Sequence, residues 1–176
     1  TGGPEASNSR APGTGLPQAI VPFDPRQALE YQRATAEFLG LPVDRAIDLG
    51  QGLFLQMKPV PPGEFYRWRD LRSYRVRLTR PFYLSIYPVT QAQYQAVMGK
   101  NPSESKGPDL PVVTVTWDHA QRFGATLSRQ SGQEFGLPTG AQWEYACRAG
   151  TTSFFSFGDY AEDLSDYAWY HDNSNT

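Results

Sequence analysis

Cysteine is almost missing from this chain of 176 residues, where Cys147 stands alone. A single thiol closes no intrachain disulfide and anchors no cysteine-cluster metal site. Histidine is nearly as scarce. His119 and His171 lie far apart in sequence, and neither has another His or Cys at ligand spacing, so no zinc pattern exists. Charge of one sign does not accumulate either. The formal net charge of −2 gives no global argument for nucleic acid or membrane as a partner. No apolar run is long enough to span a bilayer. No charged-then-apolar leader is visible, although the first residue is Thr1 rather than Met, so that absence says little about compartment. A glycine-rich phosphate loop and a Ser-His-Asp arrangement are also absent.

What is present points to a folded α+β body with many turns. Aromatic residues make up 14% of the chain, with four Trp and ten each of Tyr and Phe, too many rings for a disordered composition. Sixteen Gly and fifteen Pro predict frequent breaks and long irregular connections. Residues 1–22 are rich in Gly, Pro, Ala, Ser and Asn and read as a flexible linker or tail.

A helical lead-in follows over residues 23–46. Asp24 suits the N-cap, Pro25 the first helical position and Gln27 the capping box, which predicts a helix to about Leu39. Ala28, Tyr31, Thr35 and Phe38 form its apolar stripe, and Gly40 and Pro42 end it. Residues 53–57 make a short strand, and Pro59, Pro61, Pro62 and Gly63 break the chain. Residues 64–69 and 73–78 read as two arms of a ribbon, since Tyr74, Val76 and Leu78 alternate with Arg75 and Arg77. Phe82, Leu84 and Ile86 continue that period.

Three later helices share one device, a Thr at the cap. Thr90 with Gln93 starts a helix to Met98, with Val89 and Tyr94 placed for a hydrophobic staple. Thr116 caps a helix over about 117–128 with Ala120, Phe123 and Leu127 on its buried face. Thr139 with Gln142 starts one over about 140–148 that Gly150 ends. Residues 112–115 are a short apolar strand or an extended lead into the helix after them.

Candidate chemistry is thin. Cys147 lies inside the last of these helices. Arg148 beside it points elsewhere, so the residue reads as small buried packing rather than a reactive thiol. His119 reads as a helix-surface residue near its cap, and neither it nor His171 reads as a general base. Asp159, Glu162, Asp163, Asp166, Asp172 and Asn173 supply oxygen ligands of the kind calcium takes. Their spacing is not that of an EF-hand, and they read as a solvated acidic loop. Arg67, Arg69, Arg72, Arg75, Arg77 and Arg80 interleave with Tyr66, Trp68 and Tyr74, a pattern that can hold single-stranded nucleic acid. They read instead as a charged, protected sheet edge, and no nucleic acid is expected.

Ordered motifs say more. Pro61-Pro-Gly-Glu-Phe65, Val76-Arg-Leu-Thr-Arg-Pro-Phe-Tyr-Leu84, Tyr87-Pro-Val-Thr-Gln-Ala-Gln-Tyr94 and Val97-Met-Gly-Lys-Asn-Pro-Ser103 occur in that order. Leu110-Pro-Val112, Val115-Thr-Trp-Asp118, Leu137-Pro-Thr139, Trp143-Glu-Tyr-Ala-Cys-Arg-Ala-Gly150 and Asp163-Leu-Ser-Asp-Tyr-Ala-Trp-Tyr170 follow. Together they resemble the formylglycine-generating enzyme family, also called sulfatase-modifying factors, over about residues 47–176. The segment before residue 47 resembles extensions ahead of this domain in some bacterial members.

The resemblance implies an irregular mixed α/β domain of the C-type-lectin-like kind. For complete catalytic relatives it implies oxidation of a client sulfatase cysteine to formylglycine with dioxygen and copper. In those relatives two cysteines of the C-terminal half hold the copper, and structural calcium is bound. Other relatives are sulfoxide synthases of thiohistidine biosynthesis, domains fused to kinases, and variable proteins of diversity-generating retroelements.

This sequence departs from the pattern. It stops ahead of the Gly-Asn-x-Trp-Glu-Trp segment and of both copper cysteines, neither of which is Cys147. The usual Arg-Leu-Pro-Thr-Glu-Ala-Glu-Trp-Glu reads Gly136-Leu-Pro-Thr-Gly140-Ala-Gln142-Trp-Glu, and Tyr66-Arg-Trp68-Arg replaces the usual Met-Gly-Ser. Trp169 falls nearest the place of a calcium-binding Asn. The expectation is therefore the N-terminal part of such a domain, incomplete at its C-terminus. No catalytic, cofactor or metal residues are expected in this chain, and it is expected to be inactive alone. Copper and calcium are expected only for complete relatives. The expected partner is a protein client or the remaining half of the domain, and unpaired apolar edges would favour pairing with another chain. The alternative is a lectin-fold-related binding or protein-interaction module.

Overall fold

A computed structural model describes residues 15–69, 72–170 and 172–173 of the chain. Its helices start as local chemistry dictates. Asp24, Thr90, Thr116 and Thr139 are extended N-caps for α1 (Pro25–Leu39), α2 (Gln91–Met98), α3 (Trp117–Ser131) and α4 (Gly140–Arg148). Each cap oxygen accepts the N–H three residues on, and that residue's side chain accepts the cap's own N–H. Reciprocal capping of this kind is worth about 1 kcal/mol per helix. Gln27, Gln93 and Gln142 return the bond as the sequence predicts. In α3 the ring of His119 does so, its Nδ1 accepting from the Thr116 N–H at 3.3 Å.

The far ends need some correction. α3 runs to Ser131, three residues past the expected stop, because Gly132 supplies the left-handed cap. The left-handed residue after α4 is Ala149, with Gly150 following it at φ 90°. On α1, Phe38 is exposed, and the inner face is instead Ala28, Tyr31, Thr35, Ala36 and Leu39.

The sheet is antiparallel, with β1 (Arg45–Asp48) and β5 (Phe82–Ser85) on either side of β2 (Phe54–Val60). β2 is longer than expected and contains Pro59. β1 pairs only with Phe54–Met57, while Pro59 faces Tyr83 of β5, so at Pro59 the strand is flanked on one side only. A missing backbone donor is tolerated at such a place. Leu55, Met57 and Pro59 are buried while Phe54 and Gln56 are exposed, a cleaner alternation than the composition suggested. Ile86 falls outside β5 and is exposed.

Ile47, Leu55 and Met57 of the sheet pack against Tyr94 and Val97 of α2 and Phe123 and Leu127 of α3 to form the core. α1 packs on β2. Residues 112–115 are not a strand. Thr114 takes φ 60°, and Pro111 makes only an isolated bridge to Thr90. The loop over 99–115 is held by polar side chains rather than by a sheet. The buried amide of Gln91 donates to the Ser105 carbonyl (2.9 Å) and accepts from Asn101 (2.8 Å) and the Gly107 N–H (3.1 Å).

β3 (Gly63–Arg69) and β4 (Arg72–Leu78) form a separate two-stranded ribbon. Across it Glu64 pairs with Arg77 at 3.0 Å and Arg75 at 3.3 Å. The linker expected over residues 1–22 lies partly outside the described residues. Its end is held: the Ala19 N–H donates to the Pro62 carbonyl at 2.8 Å, and the Phe23 N–H to the Gly150 carbonyl at 3.2 Å. No helix among the described residues is long and apolar enough to cross a membrane.

Candidate functional site

α4 presents two unlike faces. Tyr145 is buried, its ring 5.6 Å from Phe65 of β3. Trp143, Glu144, Cys147 and Arg148 face an open groove of about 840 Å³. The spacing of 140, 143, 144 and 147 is one helical face, and Cys147 lies about 200° around the helix from Tyr145. Cys147 is therefore exposed, which corrects its reading as buried packing.

The groove is walled by aromatic rings. Trp117 at the start of α3, Trp143, Phe154 and Tyr167 are 68%, 59%, 58% and 64% exposed. The far wall is a stack in which Phe155 lies on Phe157 (5.1 Å, 5°) and Phe157 on Tyr167 (4.3 Å, 10°). Tyr167 belongs to α5 (Leu164–Tyr167), which follows a single 3₁₀ turn. The turn that carries Phe154 and Phe155 closes through the Phe155 N–H to the Gly158 carbonyl (2.9 Å) and the Phe154 N–H to the Asp159 carboxylate (2.8 Å).

The charged floor is a triad. Glu144 pairs with Arg67 of β3 at 2.7 Å and with Arg148 one turn along α4 at 3.1 Å. Arg148 also donates to the Ser153 carbonyl at 2.6 Å. Arg148 and Glu144 are largely shielded, at 12% and 21% side-chain exposure. In such a setting an ion pair is stronger than on open surface, and losing one partner leaves a poorly solvated charge. Two guanidiniums share one carboxylate, so the floor carries a net positive charge.

The remaining expected features fall elsewhere. His119 is occupied by its cap, and His171 lies outside the described residues. Asp159 binds backbone in the turn, Glu162, Asp163 and Asp166 are exposed, and Asn173 staples Ala168 and Tyr170 (2.8 and 2.7 Å). Among the described residues no three His, Cys, Asp or Glu side chains converge to hold a metal ion. Copper held by two thiols does not fit this donor set, in which Cys147 is the only thiol. The groove is not legible in residues 137–150 by themselves, where cap signals and family motifs dominate, because its other walls come from β3, the start of α3 and residues 154–168. The signal that finds it is the i, i+3, i+4, i+7 spacing of polar and aromatic residues opposite Tyr145.

The sequence profile of the Sulfatase-modifying factor enzyme 1-like domain matches residues 54–175. Among solved structures, the fold is similar to Treponema denticola variable protein 1. The TM-score is 0.66 at 25% identity, over 77% of this chain and 67% of that one. PvdO from Pseudomonas aeruginosa shares the fold with a TM-score of 0.52 at 22% identity, over 61% of this chain and 52% of that one. The Chaperone protein LppX of Paenibacillus barcinonensis is 29% identical over 53% of this chain and 45% of its own length. This chain thus spans about half the length of that curated relative.

Proposed function

The chain belongs to the sulfatase-modifying factor enzyme 1-like family, and from that premise we propose that it works as a binding element which does not itself oxidise cysteine. Its groove along α4 takes an extended segment of a protein partner. The observation that carries this reading is the pairing of four exposed rings, Trp117, Trp143, Phe154 and Tyr167, with the net-positive Arg67–Glu144–Arg148 floor. Exposed aromatic clusters of this kind mark binding surfaces, and rings beside arginine are the usual anchors of interfaces. The fitting segment presents an apolar or aromatic side chain next to a carboxylate. The name of the Paenibacillus relative, a chaperone protein, supports a protein as the partner. The non-oxidising part of the proposal is supported by Cys147 being the one thiol in these 176 residues.

Two measurements test the proposal. Peptides of the form aromatic-x-acidic should quench the tryptophan fluorescence of the groove and bind at least tenfold more tightly than the same peptides with Lys in place of the acid. Equal binding of the two would end the reading. Incubation of the chain with copper, dioxygen and a sulfatase-type cysteine peptide should yield no formylglycine, and its appearance would overturn the non-oxidising assignment.

A second reading is favoured by the 45% coverage of the LppX relative. In it the groove receives a further segment of the same family domain, and the domain proper starts near residue 47 behind the lead-in helix. Supplying such a segment as a separate peptide should then displace the aromatic-acidic probe.

A further inference from the structure

Another cleft, of about 520 Å³, shares Leu137 and Pro138 with the aromatic groove but is lined by different charges. These are Arg45 and Arg80, with Glu134 as the one carboxylate on the wall. Arg45 opens β1 directly opposite Met57 of β2. Residues opposite one another in an antiparallel pair share a face, and the face of Met57 is the one that carries the core. Strand alternation in Arg45-Ala-Ile47 therefore sets a half-buried guanidinium beside the core residue Ile47. Two neighbours hold it there. It donates to the Gln133 side-chain carbonyl at 2.7 Å, and it lies 4.8 Å above the ring of Tyr83. Tyr83 is itself fixed, because its hydroxyl donates to the Pro42 carbonyl at 2.8 Å. Neither Arg45 nor Arg80 pairs with a carboxylate among the described residues.

A half-buried cation without a counter-ion is poorly solvated, and neither a ring face nor an amide neutralises it. A guanidinium offers five N–H donors in a planar fork that matches a carboxylate, and Gln133 takes one of them. The same two contacts fix its orientation, so little side-chain freedom remains to be lost when an anion arrives. Met57, Phe135 and Leu137 add an apolar wall beside it. A cleft of this volume with apolar walls and a few placed charges has the form of a small-molecule site. We propose that it binds a small organic acid, an apolar body carrying one carboxylate, with Arg45 taking the carboxylate and Arg80 supporting it through its field. Two guanidiniums and Glu134 leave one positive charge on the wall, which a singly charged anion neutralises. In the groove Glu144 already occupies both arginines, whereas here no internal carboxylate has to be displaced.

The chain has two methionines, of which Met57 lines the cleft and Met98 does not, so methyl-labelled methionine gives a reporter and its control. 3-Phenylpropionate and 3-phenylpropan-1-ol share an apolar body and differ in the charged group. Each is titrated into the full chain at neutral pH and low salt and followed by NMR. The acid should shift the Met57 methyl signal saturably, leave Met98 in place, and bind roughly tenfold more tightly than the alcohol. Arg45→Gln should remove that advantage and leave the alcohol unchanged, and Arg80→Gln should reduce it roughly two- to threefold. If Arg45→Gln does not fold, the Arg45 Nε–H signal of the parent chain takes its place and should move with the midpoint read at Met57. Absence of a saturable Met57 shift overturns the site. Equal binding of acid and alcohol overturns the ligand class. An acid advantage that survives Arg45→Gln, or an Arg45 signal that stays still at saturation, overturns the assigned residue.

Discussion

A β-carbon placed on Gly63 would overlap the hydroxyl of Tyr145 and come within 2.7 Å of the Ala19 carbonyl. The start of β3, the buried face of α4 and the incoming N-terminal segment therefore meet at a point with no room for a methyl group. Gly63→Ala should destabilise the fold by about 2–3 kcal/mol through overpacking. In a Tyr145→Phe background part of that loss should return, because the oxygen is gone while the Ala19 carbonyl stays. Urea denaturation of the two single variants and the double variant checks this, and strict additivity would refute the shared contact.

The same tyrosine predicts a pH dependence. Burial, with a smaller contribution from Tyr31, pushes the Tyr145 hydroxyl up to about 12 from 10.0. The folded value lies above the unfolded one, so this contribution to stability is complete below pH 10 and disappears as the pH rises towards 12. The loss should be on the order of 1–2 kcal/mol after allowance for screening. Tyr145→Phe should flatten the stability curve over that window. At pH 7 it should be neutral or slightly stabilising, because the hydroxyl it removes is buried with no hydrogen-bond partner among the described residues. Chemical denaturation at pH 7, 10 and 11.5 reads both effects.

Gly140 stands at the first turn of α4, and its hypothetical β-carbon lies 3.7 Å from the Arg67 guanidinium, an ordinary contact. Gly140→Ala should therefore stabilise the chain by about 0.5–1 kcal/mol, by restricting the unfolded backbone and favouring the helix. Gly140→Glu should add a little more at low salt, from the helix dipole and from Arg67. Melting temperatures in 20 mM and 500 mM salt separate the two contributions. A lower melting temperature for the alanine variant would show that the glycine has a conformational role.

Glu144→Gln removes the carboxylate that two arginines share. It should destabilise the chain by about 1–3 kcal/mol, and it should also tighten binding of an acidic peptide in the groove, since the floor becomes more positive. Opposite signs for stability and affinity are the signature of this arrangement. Loss of both together would argue that the triad only supports the fold.

Leu127 is 1% exposed at the centre of the core, and Leu127→Ala should lower stability by about 2–5 kcal/mol. Urea denaturation of the variant beside the parent chain tests this, and a loss below about 1 kcal/mol would show that the core closes over the gap.

Much of the fold was legible in the sequence. The caps at Asp24, Thr90, Thr116 and Thr139 and the ribbon arms were written in local patterns, and the ordered motifs carried the family. The misreadings have physical causes. Pro59 reads as a breaker, yet it fits where β2 has a neighbour on one side only. Cys147 reads as packing because small thiols are usually buried, and only the position of Tyr145 against Phe65 turns that part of α4 outward.

By itself the sequence determined where helices begin and which family the chain joins, because capping boxes, turn residues and family motifs act over a few neighbouring positions. The tertiary structure alone decided which face of α4 lines the open groove, that Arg67 reaches Glu144 across 77 positions, and that the Tyr94 hydroxyl is buried with no hydrogen-bond partner among the described residues. These depend on how distant elements pack, and the chain encodes that only through the summed burial of its core.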